Sequence, residues 1–326
     1  MTQRILITGA TGMIGAAFIR RALADGHEVT VMVRRESNRL RLIEVESSLR
    51  LHDGDVTDAQ SVANAVDAAR PEVVVHLASS SFNPPTISAQ THWDAIGKGT
   101  LIMLEILRSW PQTRFVMTGS AAAYGSGARL TETQPLRPAT ALGAAKATAS
   151  IWMHTYARLY GIQAVELRLF MPYGPWEHPR RLIPQTILSA LAGEELRTTD
   201  GRQQRDLVYV DDVVDALLLA ATRPVAAGSV FNIGSGIGTR VRDVVDRILT
   251  LMGDPVNVIR GALPTRPDEI LEMSADITAA KRKLGWQPRI GLDEGLRRTI
   301  AWVTDHRELL EHLAQPQAPI AAGGER

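Results

Sequence analysis

Three glycines, Gly9, Gly12 and Gly15, stand between a β-branched run, Arg4–Thr8, and an amphipathic one, Met13–Asp25. A strand that turns through glycines straight into a helix is a phosphate cradle. One glycine permits the tight turn, one lets the backbone approach the pyrophosphate, and one lets helix pack on strand, while the helix N-terminus faces the phosphates. The loop residues Gly9, Thr11, Gly12, Met13, Ile14 and Gly15 are therefore expected to grip a dinucleotide. About twenty residues beyond such a loop an acid normally meets the adenine ribose hydroxyls. Here Val33 is followed by Arg34 and Arg35. A carboxylate would repel a 2′-phosphate, whereas a guanidinium pairs with one in fork geometry, so NADP(H) is favoured over NAD(H). The plain alternative is that these arginines, with Arg39 and Arg41, form the solvated face of a short helix.

These groups have to be positioned by a sheet. Short β-branched runs at Arg4–Thr8, Glu28–Val33, Leu49–His52, Val73–Ala78 and Thr113–Thr118 alternate with amphipathic segments at Met13–Asp25, Asp58–Ala69 and Gln90–Ser109. That rhythm predicts βαβ units and a parallel sheet. The run Val73–Ala78 lacks a two-residue alternation, which marks a central strand buried on both faces. A long alanine-rich helix is predicted from about Thr140 to Tyr160, then a strand at Gln163–Phe170. The expected architecture is a Rossmann-type, doubly wound α/β domain over residues 1–172 and a smaller C-terminal substrate lobe over 173–314. Late strands at Leu207–Val210 and Val230–Ile233 are expected to rejoin the main sheet. Residues 315–326, with Pro316, Pro319, Gly323 and Gly324, are expected to be a flexible tail.

Composition narrows the field. With 326 residues there is room for two unequal lobes, and 36 basic against 35 acidic residues gives no basic field for nucleic acid. The absence of cysteine excludes thiolate metal sites and a cysteine nucleophile, and no metal site is expected. No apolar leader precedes the first strand and no apolar stretch is long enough to span a bilayer, so a cytoplasmic protein is expected.

From Gln3 to about Trp302 the chain resembles the NAD(P)-dependent epimerase/dehydratase family, the nucleotide-sugar branch of the extended short-chain dehydrogenases. The Gly-x-x-Gly-x-x-Gly spacing of the first loop is theirs. Further motifs are Gly54-Asp55-Val56-Thr57-Asp58, His76-Leu77-Ala78, Ser120 to Gly125, and Tyr173-Gly174-Pro175. They continue with Arg205 to Asp212, Phe231-Asn232-Ile233-Gly234, Arg266-Pro267-Asp268 and Leu284 to Pro288. Each motif is weak alone; their order and spacing carry the likeness. The resemblance implies that Asp55, Val56, Leu77, Ala78, Ser79, Thr118 and Pro172 line the cofactor. It also implies that Lys146 holds the nicotinamide ribose, that Ser120 and Met171 face the substrate, and that Arg205 and Arg266 reach its diphosphate or nucleotide. A homodimer built from the Gln90–Ser109 and Thr140–Tyr160 helices is implied as well. The stretch Gly26–Arg34 also resembles NADPH-dependent ketone reductases related to dihydroflavonol reductase, whose arginine at this place holds the 2′-phosphate.

The pattern breaks where the chemistry should be. The family's acid/base tyrosine stands four residues before the lysine, one helical turn away, and here that slot is Leu142. Asparagines of the family are replaced by Ile96 and Met171, and the acidic pair of the 4,6-dehydratases by Ala121 and Ala122. Tyr156 lies ten residues past Lys146 on the same helix, roughly 15 Å too far along. Tyr124 and Tyr173 read as structural, His76 as a packed core histidine, and His92 and Trp93 either border the substrate or pack at a helix start. Three functions stay open. The leading one is an NADP(H)-dependent ketoreductase or epimerase of a nucleotide-linked sugar with non-standard acid/base chemistry. The others are a cofactor-binding protein without turnover and a reductase of a non-sugar ketone.

Overall fold

The computed structural model describes residues 2–80, 87–265 and 269–314. Arg266 and the expected tail at 315–326 therefore lie outside the described residues. The main sheet has seven parallel strands. These are β1 (Arg4–Thr8), β2 (Glu28–Val33), β3 (Arg50–Asp53), β4 (Val73–His76), β5 (Arg114–Ser120), β7 (Ala164–Leu169) and β11 (Ser229–Ile233), in the order β11-β7-β5-β4-β1-β2-β3. The strand order reverses between β1 and β4, the switch point at which an open α/β sheet presents a crevice at its carboxyl edge.

Helices α1 (Met13–Ala24) and α7 (Val210–Thr222) cover one face, and α2 (Ala59–Ala69), α4 (Gly99–Leu107) and α5 (Ala141–Tyr160) the other. The central strand is buried on both sides as its composition predicts: Val73 and Val75 join the core under α1 and α7, and Val74 the core under α2, α4 and α5. The long helix starts where Thr140 Oγ1 accepts the amide of Gly143 at 3.0 Å and stops at left-handed Gly161. The expected helix over Gln90–Ser109 is more irregular. A short α3 (Ala89–His92) runs into a π-helical stretch at Trp93–Lys98 before α4. A Cβ on Gly97 would fall 2.4 Å from the Trp93 ring, so the indole fills the space that a side chain at 97 would take.

The C-terminal half corrects one expectation and meets another. The strand at Val230–Ile233 does return to the main sheet, as β11 beside β7. The segment Leu207–Val210 does not. It belongs to β10 (Gln204–Tyr209), which lies between β8 (Met171–Tyr173) and β12 (Gly238–Arg240) in a separate three-stranded sheet. Pro172 cannot donate to a ladder, and the chain leaves the main sheet after Phe170, carrying the following strand with it. The small lobe adds α6 (Leu182–Ala192), α8 (Val241–Leu251), α9 (Leu292–Asp305) and α10 (Arg307–Ala314) around Ile187, Ile248, Leu296 and Leu310. A two-stranded piece, β9 (Leu196–Arg197) with β13 (Val258–Ile259), completes it, while β6 (Gly127–Leu130) with β14 (Met273–Ala275) packs on the core of the main sheet.

Candidate functional site

The crevice at the carboxyl edge of β1, β4 and β5 gathers most of the expected residues. On its first wall, Gly9 has φ +73°, and a Cβ there would lie 2.5 Å from the Leu77 carbonyl carbon and 2.6 Å from the Ala78 nitrogen. Gly15 is equally confined, since a Cβ there would fall 2.5 Å from Gly9 O. Both glycines are demanded by the protein's own packing. Gly12 is different: a Cβ would meet only Gly9 O, at 3.4 Å, and its φ of −80° suits any residue. Among the described residues nothing requires glycine at this point, and the space beside it is open to a group outside the chain. Gly12 is also the N-cap of α1, with no side-chain cap and no acid in the first turn. Open amides at a helix N-terminus, beside a residue kept bare, fit a pyrophosphate.

The loop is braced from behind. The Ala78 amide donates to Thr8 Oγ1 at 3.3 Å and the Leu77 amide to Thr8 O at 3.1 Å. His76 is the packed core histidine expected: it is bonded to Thr8 Oγ1 at 2.9 Å and Thr100 Oγ1 at 3.2 Å, and burial, aided by Lys146, pushes its pKa down to about 3. Arg41 does not lie on a solvated helix face. It is largely buried and donates to Thr11 O at 3.2 Å and to Trp176 O at 2.8 Å, stitching the glycine loop to the small lobe; burial pushes its pKa down to about 10. Asp55 accepts the Thr57 amide at 2.8 Å in a tight turn after β3, with Val56 half-buried beside it. Arg34 and Arg35 sit exposed beyond β2, the first paired with Glu36 at 3.4 Å and the second with Asp53 at 3.0 Å.

The second wall comes from β5 and α5. Lys146 is buried and its Nζ donates to Thr118 O at 2.7 Å; burial brings its pKa down to about 8, with Glu166 pulling the other way. Ser120 ends β5, and its Oγ accepts the Ala122 amide at 3.2 Å, capping the turn that follows. Gly143 lets α5 approach that turn, since a Cβ there would fall 2.4 Å from Ala122 O. Leu142 is thus set beside the Ser120 turn, half-buried and packed into the apolar core that also holds Ile96. Met171 is half-buried at the start of β8, and Pro172 is buried next to it.

Three tyrosines are engaged elsewhere. Tyr124 is buried, donating to Asn232 Oδ1 and accepting from Arg168, both at 2.8 Å, and its pKa is pushed up to about 12 by burial. Tyr173 donates to Leu292 O at 3.3 Å, and Tyr156 bonds Glu105 on α4. Beneath Ser120 and Lys146 lies a charged lattice that composition alone does not reveal. Glu166 bonds Ser150 Oγ at 2.5 Å and Arg168 at 3.2 Å, and Arg168 also reaches Ser150 Oγ at 2.9 Å.

Toward the small lobe, Arg205 donates to Ile270 O at 2.6 Å and pairs with Glu269, not with its neighbour Asp206. Asp206 instead accepts the amides of Gly236 at 3.0 Å and Ala275 at 2.8 Å, which fixes the loop after β11. Near Arg41, Glu177 is buried with Oε2 lacking a hydrogen-bond partner, and burial pushes its pKa up to about 7. Among the described residues no group of acidic and histidine side chains could hold a metal, and no helix is long and apolar enough to cross a membrane.

Comparison with known proteins finds relatives over nearly the whole chain. The NAD dependent epimerase/dehydratase family model matches residues 5–234. A UDP-glucose 4-epimerase of Mycolicibacterium smegmatis is 31% identical, over 91% of this chain and 97% of its own length. A dTDP-glucose 4,6-dehydratase of Streptomyces niveus is 29% identical over 99% of both chains. Among solved structures, the UDP-glucose 4-epimerase of Thermotoga maritima with UDP-glucose gives a TM-score of 0.86 at 28% identity, covering 93% of this chain and 99% of the other. The dTDP-glucose 4,6-dehydratase DesIV of Streptomyces venezuelae, with NAD bound, gives 0.86 at 29% identity, covering 95% and 99%.

Proposed function

The chain belongs to the NAD-dependent epimerase/dehydratase family, and from that premise we propose that it binds a nicotinamide dinucleotide and transfers hydride to and from a sugar carbon of a nucleotide-linked substrate, as an epimerase or ketoreductase. The observation that carries this reading is Gly12, kept bare at a helix N-terminus although the protein leaves room for a side chain. Gly9, Thr11, Met13, Ile14 and Gly15 complete the pyrophosphate cradle, Leu77, Ala78, Ser79 and Thr118 line the central edge, and Asp55 and Val56 meet the adenine. When bound there, the dinucleotide supplies the hydride acceptor and donor. Lys146, held by Thr118 O, positions the nicotinamide ribose. Ser120 offers its hydroxyl to the oxygen on the reacting carbon, Met171 borders the sugar, and Arg205 with Arg266 takes the diphosphate.

Alanines at 121 and 122 place no acid after Ser120, so the reaction proposed stops short of eliminating water. The same reading takes NADP(H) ahead of NAD(H), on the strength of Arg34 and Arg35, although the relative DesIV was solved with NAD bound. The protein works as a homodimer through α4 and α5, whose outer surface exposes Ile151, Leu159 and Tyr160.

Single-turnover spectroscopy tests the catalytic reading: the oxidised and reduced chain is mixed with UDP- and dTDP-linked glucose and 4-keto-sugars, and the nicotinamide absorbance is followed. Silence toward every sugar leaves a dinucleotide-binding protein without turnover. For the cofactor, Arg34→Ala is expected to weaken NADPH about tenfold or more while sparing NADH, a loss of roughly 1.4 kcal/mol. Equal losses for both would reject the NADP(H) preference.

A further inference from the structure

A leucine in the tyrosine slot leaves the proposed hydride transfer without a tyrosine to carry the proton, and Tyr124, Tyr156 and Tyr173 are bonded elsewhere. The carboxyl edge of the sheet holds another candidate. Strands β4 and β5 run side by side with His76 opposite Met117. The chain leaving β4 passes against the glycine loop at Ala78, whose nitrogen would lie 2.6 Å from a Cβ on Gly9, and reaches Ser80 two residues later. Ser80 is half-buried, and its Oγ is bonded to Nδ1 of His92, the last residue of α3. His92 itself is buried at 1% exposure. The π-helical stretch that begins one residue later packs against α5, the helix that carries Leu142 and Lys146.

This bond is not a helix cap, because Ser88 caps α3 through the Thr91 amide at 3.1 Å. It also differs from the pairing of His76, both of whose nitrogens are bonded to threonines deep in the core. Ser80 and His92 instead form a chain from a buried imidazole to a hydroxyl at the crevice, the arrangement by which a base activates a hydroxyl.

We propose that Ser80 and His92 are the proton-transfer pair of this site, taking the place of the absent tyrosine. The proposal rests on the hydride-transfer reading above. As the substrate's C–H bond breaks and its hydride leaves for the dinucleotide, the hydroxyl O–H bond on the same carbon breaks too. That proton passes to Ser80 Oγ, while Ser80's own proton passes to His92 Nδ1, leaving a carbonyl and an imidazolium. Return of the hydride reverses both transfers. Burial holds the His92 imidazole below its ordinary pKa, which favours the neutral ring before the transfer.

The test uses the full chain and two readouts. In nitrogen-15 spectra of His92 taken without any sugar, Ser80→Ala is expected to move the Nδ1 resonance toward that of a free ring, and Ser80→Thr to leave it in place. In single turnover with UDP-glucose and dTDP-glucose, Ser80→Ala, His92→Gly and His92→Gln are expected to slow hydride transfer about 10²-fold, with affinity for the sugar nucleotides unchanged. Ser80→Thr and added imidazole with His92→Gly are expected to restore rate. Wild-type rates in the alanine and glutamine variants overturn the pair and leave the hydride-transfer reading standing. An unshifted His92 resonance in Ser80→Ala also overturns it. No turnover in the unaltered protein overturns both.

Discussion

The two walls of the crevice are held by different physics. The glycine-loop wall is backbone against backbone, with Gly9 and Gly15 leaving no room for a methyl group. The Ser120 and Lys146 wall stands on buried charge, with Glu166, Arg168 and Ser150 bonded to one another under the sheet edge and Glu166 acting electrostatically on Lys146. The difference bears on how the site could change. None of Leu142, Ile96 and Met171 belongs to the charged lattice, so changes at these positions are expected to leave it intact.

The largest expected effect breaks the lattice. Glu166→Leu leaves the Arg168 guanidinium buried without its carboxylate and should cost about 3–5 kcal/mol in urea unfolding. A loss below about 1 kcal/mol would mean that the second wall does not rest on charge. Glu166→Gln keeps the shape, and should lower the Lys146 pKa further below about 8, read by a shift in Lys146 titration.

Next in size is a pH effect on the small-lobe side. Glu177 has a folded pKa raised to about 7 from 4.5, so the folded chain holds a proton that the unfolded chain has already lost between those values. Stability from this group is full below about 4.5 and falls as pH rises through about 7. Glu177→Gln should thus match the unaltered protein at low pH and exceed it at pH about 8 by up to roughly 3 kcal/mol. A difference that does not vary with pH would reject the assignment.

The smallest effect on stability is the sharpest test of the first wall. Gly12→Ala should change unfolding stability by less than about 0.5 kcal/mol, yet weaken dinucleotide binding about tenfold or more, because the methyl group occupies ligand space. Gly15→Ala should destabilise the fold itself. If Gly12→Ala binds the cofactor normally, the open space at Gly12 has another purpose.

Part of this is legible in the residues alone. The glycine loop announces itself because its demands are local: a turn, a close approach and a helix start lie within eight residues, Thr8 to Gly15. Val73–Val75 likewise reads as a central strand because burial on both faces is written into composition. Arg41 does not, because its partner Trp176 is 135 residues away and a surface-looking arginine turns inward to meet it. The strand after Arg205 departs from the main sheet for a similar reason, since its hydrophobic pattern fits any sheet and only the exit of the chain at Pro172 decides which.

What the sequence settles by itself is the family, through motifs of residues close together in the chain, such as the glycine spacing of the first loop. The tertiary structure decides which side chains meet. It brings Ser80, just past the end of one strand, to His92 on the following helix, sets Glu166 and Arg168 beneath Lys146, and leaves Gly12 without a neighbour that needs it bare. Those relations depend on the register of parallel strands and the docking of helices on them, and no local pattern of residue types encodes which side chains will meet at the edge of a sheet.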